Sequence, residues 1–321
     1  MPNKPRFELT TFGEALLRFS VAEGKHLETM NNLDVYLGGA EINLCSALAS
    51  LNRKTAWLGA LPDNQLADFA LRKLRAASIN NEAVIKLANS RLGTYYIEFA
   101  NPPRATNVIY DRADSALTKL TADDINWDYL LDTKVLHLTG ITPALSFQTA
   151  ELVLEIIKRA KAKAITISFD VNYRSKLWSY QEAATMMKKI LPDVDILICG
   201  EADAANLFGL KITARDTLLG LANLSGAKDI ILTQSTKGAS TLRNSELVYI
   251  PAKELNVIDR LGAGDAFAAG VIDGYLDGSI IKGMQRGIVL SAFVLGQYGD
   301  MLLTNRAELE AGLLGDSRIR R

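Results

Sequence analysis

The stretch DRLGAGDAFAAG, Asp259 to Gly270, sets two glycines and a carboxylate at the start of a run with helical spacing. Gly262 and Gly264 permit a tight turn around Ala263 and leave neighbouring N–H groups uncovered, and N–H groups at a helix N-terminus make an anion site. Asp265 fits two readings there. One is an N-cap, a common use of an acid worth about 0.5–2 kcal/mol. The other is a functional carboxylate held at that anion site, a reading the neighbouring glycines favour. In either case the helix N-terminus is expected to keep Asp265 ionised, which makes it a weak base.

Two further segments carry polar groups at element boundaries. In YLGGAEINLCSALASL, Gly38 and Gly39 precede a helix that sends Ile42, Cys45, Leu48 and Ala49 toward a core and holds Asn43 in its first turn. This is either a loop glycine pair with a helix-start polar residue, or a backbone that approaches a polyol closely beside an amide that donates and accepts. In AITISFDVNYR, Asp170, Asn172 and Arg174 cluster where an apolar strand gives way to its loop. Ligands bind at such carboxyl ends of parallel strands. The planar fork of Arg174 suits a carboxylate or phosphate, or else a surface salt bridge.

The common nucleotide fingerprints are absent. The glycine turn has Phe267 where G-x-G-x-x-G needs its third glycine, and it lacks the Gly-Lys-Ser/Thr ending of a P-loop. It also lies late in the chain, whereas a dinucleotide motif normally occupies the first strand–helix unit. A dehydrogenase is disfavoured.

These residues need elements to position them. Short runs rich in Val, Ile and Leu alternate with longer amphipathic segments, the pattern of a parallel sheet with crossover helices. Expected strands are 56–61, 134–139, 164–171, 195–199 and 229–233, each followed by a helix. The clearest helix is SFQTAELVLEIIKRAKAK, with Ser146 as N-cap, Leu152, Ile156 and Ala160 at four-residue spacing, and terminal lysines that suit a helix C-terminus. Two regions break the rhythm: the first forty residues, with ELTTFGEALLRFS and LDVYLGG, and 91–115, whose β-branched and aromatic residues flank NPP as in a hairpin. The expectation is one α/β domain over 1–321, with a non-contiguous β lid from about 12–38 and 91–115.

Composition narrows the partners. The 321 residues are 48% hydrophobic, enough for a large core, and carry 36 basic and 36 acidic side chains without a basic stripe, so neither nucleic acid nor membrane is an expected partner. No run approaches the roughly 20 apolar residues of a membrane span, and the start of the chain lacks a signal-peptide core, so a cytoplasmic location is expected. Cys45 and Cys199 read as buried thiols, and His137, inside KVLHLTG, as a satisfied core residue, which leaves little for a metal site.

In this order, the segments resemble the ribokinase-like, or phosphofructokinase B, family of carbohydrate kinases along essentially the whole chain. GGAEINLCSALASL is similar to the family's first signature, and DRLGAGD to its second, Asp-Thr-x-Gly-Ala-Gly-Asp. SFDVNYRSKLW, LHLTGITPAL and VIYDRADSA are similar to the 2-keto-3-deoxygluconate kinase branch. The resemblance implies a doubly wound, mostly parallel sheet with helices on both faces, a β lid that pairs in a homodimer, and ATP-dependent phosphorylation of a sugar acid at a primary hydroxyl. It further implies Asp265 as base beside Gly262, Ala263 and Gly264, with backbone N–H groups of Leu261 to Asp265 around the transferring group. Sugar contacts are implied for Gly38, Gly39, Asn43, Tyr95, Tyr110, Arg112, Asp170, Asn172 and Arg174.

For the nucleotide the implied residues are Asp203, Thr233, Ser235, Lys237, Gly238, Gly262 and Gly264. Mg²⁺ is expected to bind mainly through phosphates and water, with Asp203 at most indirect, and the family pattern adds a monovalent cation near the turn. The chain departs from the pattern at Arg260 and Leu261, where Thr-Thr is usual, at Gly200 and Asp203 within GEADAANLFG, at Ser235, and in GIVLSAFVLGQYGD. A neutral-sugar kinase such as a fructokinase, and a non-catalytic sugar or nucleotide sensor, are the alternative expectations.

Overall fold

A computed structural model describes residues 4–100, 103–211 and 213–315. Along the chain, the strands are β1 (Phe7–Phe12), β2 (Leu16–Ser20), β3 (Asp34–Gly38), β4 (Thr55–Leu58), β5 (Ala60–Pro62), β6 (Ile85–Leu87) and β7 (Gly93–Glu98). They continue with β8 (Asn107–Asp111), β9 (Thr133–Thr139), β10 (Thr166–Asp170), β11 (Ile196–Gly200), β12 (Asp229–Thr233), β13 (Gly238–Arg243) and β14 (Glu246–Pro251). An eight-stranded sheet runs in the order β14-β13-β12-β11-β10-β9-β1-β4, parallel from β12 to β4 and antiparallel at β13 and β14.

The apolar runs are nearly continuous because both faces are covered. Successive residues point to opposite faces. In β11, Ile196 and Ile198 join the core under the helices Ala40–Ser50, Ala263–Leu276 and Ile280–Leu295, while Leu197 and Cys199 join the core under Phe147–Ala162 and Tyr180–Ile190. Ser146 caps Phe147–Ala162 through the N–H of Thr149. His137 is buried against the Ser168 hydroxyl at 2.9 Å, and burial pushes its pKa down to about 3. Cys45 and Cys199 are buried and unpaired.

Three sequence expectations change. The run 56–61 breaks at Gly59, so that β4 ends the large sheet and β5 pairs with β6 instead. After β12 comes the antiparallel hairpin β13–β14 in place of a helix. The first forty residues do not all join the small sheet, because Phe7–Phe12 lies between β9 and β4 in the large one. The small sheet, in the order β3-β2-β7-β8, therefore begins at Leu16. Asn101 and Pro102 of the expected turn lie outside the described residues.

The helix Ala263–Leu276 is fixed by close approach. A Cβ at Gly270 would overlap the backbone of Gly287, and one at Gly274 the backbone of Gly283, so this helix and Ile280–Leu295 touch main chain to main chain. At its far end the buried Asp273 receives Arg53, Arg286 and Arg306. The glycine turn at its near end is thus carried on a rigid element.

Candidate active site

A cavity of about 400 Å³ opens where the parallel strands end. Glu14 follows β1, Ile141 follows β9, Asp170 and Asn172 close β10, and Asp203 follows β11. This is the crevice outside the carboxyl ends, beside the switch in strand order at β1, where open α/β sheets place ligands. From the other side the small sheet contributes Tyr95, Tyr110 and Arg112, and the turn from Arg260 to Asp265 completes the wall.

The turn is shaped by Gly262, whose φ of +82° makes it a left-handed N-cap of the helix that starts at Ala263. Asp265 is therefore in the first helical turn and is not the cap. Its carboxylate accepts from the Asn43 side-chain amide at 2.8 Å. Burial pushes its pKa up to about 6, more than the hydrogen bonds from Asn43 and Asn172 and the charge of Arg174 pull it down. Desolvation thus makes it a stronger base than its helix position predicts, while a carboxyl near 6 is still mostly ionised at pH 7. Leu261 N–H donates to Asp259 at 3.1 Å, so the free N–H groups narrow to those after it, at the first turn of the helix.

Asp170 is buried, and desolvation followed by the charges of Asp265 and Asp203 pushes it up to about 8. Glu41, fully buried at about 7 for the same first reason, accepts from the hydroxyls of Thr139 at 2.7 Å and Thr142 at 3.0 Å. The site thus stores several carboxyls whose protonation lies near neutrality.

The two arginines differ. Arg174 is exposed, donates to the Tyr173 carbonyl at 3.1 Å, and lowers the pKa of Asp170, Asp203 and Asp265 by its charge. Arg112 is engaged by Glu14, its Nε 2.8 Å from the carboxylate. Tyr95 donates to Asp300 and stacks on Tyr110 at 5.6 Å. Gly38 stays outside the cavity wall, and a Cβ there would press on the Tyr95 hydroxyl and on Asp300; Gly39 lines the cavity.

A second cavity of about 510 Å³ adjoins the first, with apolar walls from Leu255, Val257, Phe267, Ile288, Ala292 and Leu295. Thr233, Ser235 and Gly238 of the expected nucleotide residues line it. Asp203 and Gly262 line the first cavity instead, and Lys237 is exposed with its ammonium 3.7 Å from Glu201. Thr233, Arg260 and Gly264 border both cavities. A Cβ on Gly264 would meet open space, so the passage between the cavities is clear at this point.

The two unexpected turn residues have distinct places. Arg260 is exposed at the junction, and Leu261 packs on the small-sheet core of Leu16, Tyr95, Ile97 and Phe99. Sequence reasoning missed Glu14, Arg18, Glu41 and Asp300. Their partners lie from 98 to 282 positions away along the chain, and no local spacing signals them.

The pfkB family carbohydrate kinase model matches residues 6–306. A 2-dehydro-3-deoxygalactonokinase of Haloferax volcanii is 33% identical, covering 96% of this chain and 97% of its own. A 2-dehydro-3-deoxygluconokinase of Bacillus subtilis is 30% identical, with 92% of each chain covered. The crystal structure of a 2-dehydro-3-deoxygluconokinase from Thermotoga maritima superposes with a TM-score of 0.89 at 28% identity, over 97% of this chain and all of that one. The chain belongs to the pfkB family of carbohydrate kinases, with the ribokinase-like fold, and is a phosphotransferase. No helix among the described residues is long and apolar enough to cross a membrane.

Proposed function

We propose that this kinase phosphorylates the primary hydroxyl of a 2-keto-3-deoxy sugar acid, 2-keto-3-deoxygluconate first, with ATP as donor. One observation carries the reading: an apolar cavity and a polar, arginine-bearing cavity meet along Thr233, Arg260 and Gly264, and a Cβ on Gly264 would meet open space. The apolar cavity suits adenine, the junction suits the phosphates, and the polar cavity suits the acid. Charge-assisted bonds from Arg174 and the remaining donor of Arg112 favour a carboxylate that a neutral hexose lacks.

In this reading Asp265 accepts the proton of the sugar hydroxyl while its oxygen bonds to the γ-phosphorus and the bond to ADP breaks. The transition state is loose, so the proton leaves late and a base with a pKa near 6 suffices. N–H groups of Gly262 to Asp265 and the guanidinium of Arg260 stabilise the charge on the transferring group. Mg²⁺, when bound with the nucleotide, supplies charge neutralisation. The described residues offer no cluster of three side-chain ligands, and Asp203 faces the cavity, which suits an ion held mainly by phosphates and water.

The small sheet is the lid of this reading, and its closure excludes water from the reacting phosphoryl group. Its two faces have separate tasks. The cross-strand row Tyr36, Arg18, Tyr95, Tyr110 lies on one face, from which Tyr95 and Tyr110 reach the cavity wall, and the row Val35, Phe19, Tyr96, Ile109 forms an apolar face that suits pairing with a second copy.

A coupled assay of ADP release with 2-keto-3-deoxygluconate, its galactonate epimer, fructose and ribose tests the substrate. The acids are expected to give the highest kcat/KM. A neutral-sugar kinase is the second reading, favoured by the engagement of Arg112 with Glu14, and equal or better turnover of fructose would establish it in place of the first.

A further inference from the structure

Arg18 lies on β2 of the small sheet and is fully buried. Its guanidinium bridges two carboxylates that belong to other parts of the molecule: Asp259, which opens the glycine turn, and Asp300, in the loop after the helix Ile280–Leu295. The rings of Tyr36 and Phe99 lie over it at 5.2 and 5.4 Å. Both residues touch the turn, Asp259 through its carboxylate and Asp300 through its backbone. Asp259 accepts from Leu261 N–H at 3.1 Å and from Gly299 N–H at 3.3 Å, and the backbone of Asp300 fills the space that a Cβ on Gly262 would need.

Two neighbouring buried carboxylates repel each other unless a cation stands between them, and Arg18 supplies one through both terminal nitrogens while its Nε stays buried without a partner. The family pattern expects a monovalent cation near this turn. The residues present do not fit one, because the place between the carboxylates is held by a guanidinium delivered from the small sheet.

We propose that Arg18 is a positioning residue for phosphoryl transfer, its guanidinium standing as the fixed cation between Asp259 and Asp300 that a mobile monovalent ion would otherwise supply. The proposal rests on the reading of the turn as the phosphoryl-receiving element. It has a second consequence. A fixed cation on the small sheet ties the shape of the turn to the position of that sheet, whereas a free ion would leave them independent.

The test compares the wild type, Arg18→Ala and Arg18→Lys in potassium chloride and in tetramethylammonium chloride at equal ionic strength. The wild type is expected to turn over equally in both salts. Arg18→Ala is expected to lose about 10- to 100-fold in kcat in tetramethylammonium, the cost of a misplaced catalytic turn, and to recover part of it in potassium; Arg18→Lys falls between. A wild type that loses turnover in tetramethylammonium, or a folded Arg18→Ala with wild-type kcat, overturns the proposal. If Arg18→Ala does not fold, the wild-type salt comparison and Arg18→Lys decide. If no sugar is turned over, the substrate reading has failed separately. The affinity for a non-hydrolysable ATP analogue, measured by calorimetry in the same two salts, then takes the place of kcat, with cation dependence in the wild type as the overturning result.

Discussion

Asn43 and Asp265 stand 222 positions apart in the chain, and the side-chain amide of the first donates to the carboxylate of the second at 2.8 Å. The contact joins the first turn of one helix to the first turn of another, Ala40–Ser50 to Ala263–Leu276. With Gly262 as the cap of the second helix, it leaves Asp265 with a partner other than its own helix end. An amide that spends its N–H on Asp265 orients that carboxylate, and an Asp265 held by Asn43 in the first turn is free of capping duty.

Asp265→Asn is expected to lower kcat by about 100-fold or more, the range of a lost general base, while the dissociation constants of ATP and sugar stay near wild type. Asparagine keeps the shape and the bond to Asn43 in one amide orientation, so the loss reports proton acceptance. Steady-state kinetics with calorimetric binding checks this, and wild-type turnover would end the assignment of Asp265 as base.

The pH profile follows from two carboxyls pushed in the same direction. Asp265 must be ionised to accept a proton, so kcat/KM is expected to rise with pH through about 6. Asp170 is protonated at neutral pH and ionises near 8, where its new charge repels phosphate and sugar acid, so kcat/KM is expected to decline above that. Because the two carboxyls interact, the limbs belong to the pair. Asp170→Asn removes the upper limb and leaves the lower one, at a cost of about threefold or less at pH 7, the scale of one neutral hydrogen bond altered. A variant that keeps the alkaline decline would place its origin elsewhere.

Arg174→Ala is expected to raise KM for the sugar acid by about 10- to 100-fold, the value of a charged hydrogen bond. For a neutral sugar the change is expected to be several times smaller. Equal losses on both substrates would remove Arg174 from carboxylate reading. Arg112→Ala is less selective, since it also leaves the buried carboxylate of Glu14 without its partner.

Much of this site was legible because its chemistry is local in sequence. The turn at Gly262–Asp265, the cluster Asp170, Asn172 and Arg174, and the apolar strands before them are each read within a dozen residues, and the carboxyl ends of a parallel sheet then bring them together. Arg18, Glu14, Glu41 and Asp300 were not legible, because a charged residue in an apolar strand or loop has no spacing that names its partner. The lid bound near residue 12 is imprecise for a related reason: ELTTFGEALLRFS reads as extended throughout, and only the pairing of Phe7–Phe12 with β9 and β4 separates it from Leu16–Ser20 of the small sheet. The basicity of Asp265 was underestimated because the helix terminus is visible in sequence and desolvation is not.

The apolar row of the small sheet yields the last prediction. Val35 pairs with Phe19, Phe19 with Tyr96 and Tyr96 with Ile109, so one register line crosses all of its strands. Phe19 and Tyr96 stack at 5.3 Å, and the ends of the row, Val35 and Ile109, are 40% and 48% exposed. A contiguous apolar row ending in exposed β-branched residues suits a self-complementary two-fold contact. Sedimentation velocity is expected to give twice the 35.0 kDa chain mass for the wild type and the single mass for Ile109→Glu. Circular dichroism should be unchanged, since that side chain already faces water. Because the opposite face of the same sheet carries Tyr95 and Tyr110 at the cavity wall, a monomeric Ile109→Glu is also expected to lose turnover through a less firmly held lid. A wild type that sediments as a monomer would rule out the pairing, and a fully active monomeric variant would show that the lid works within one subunit.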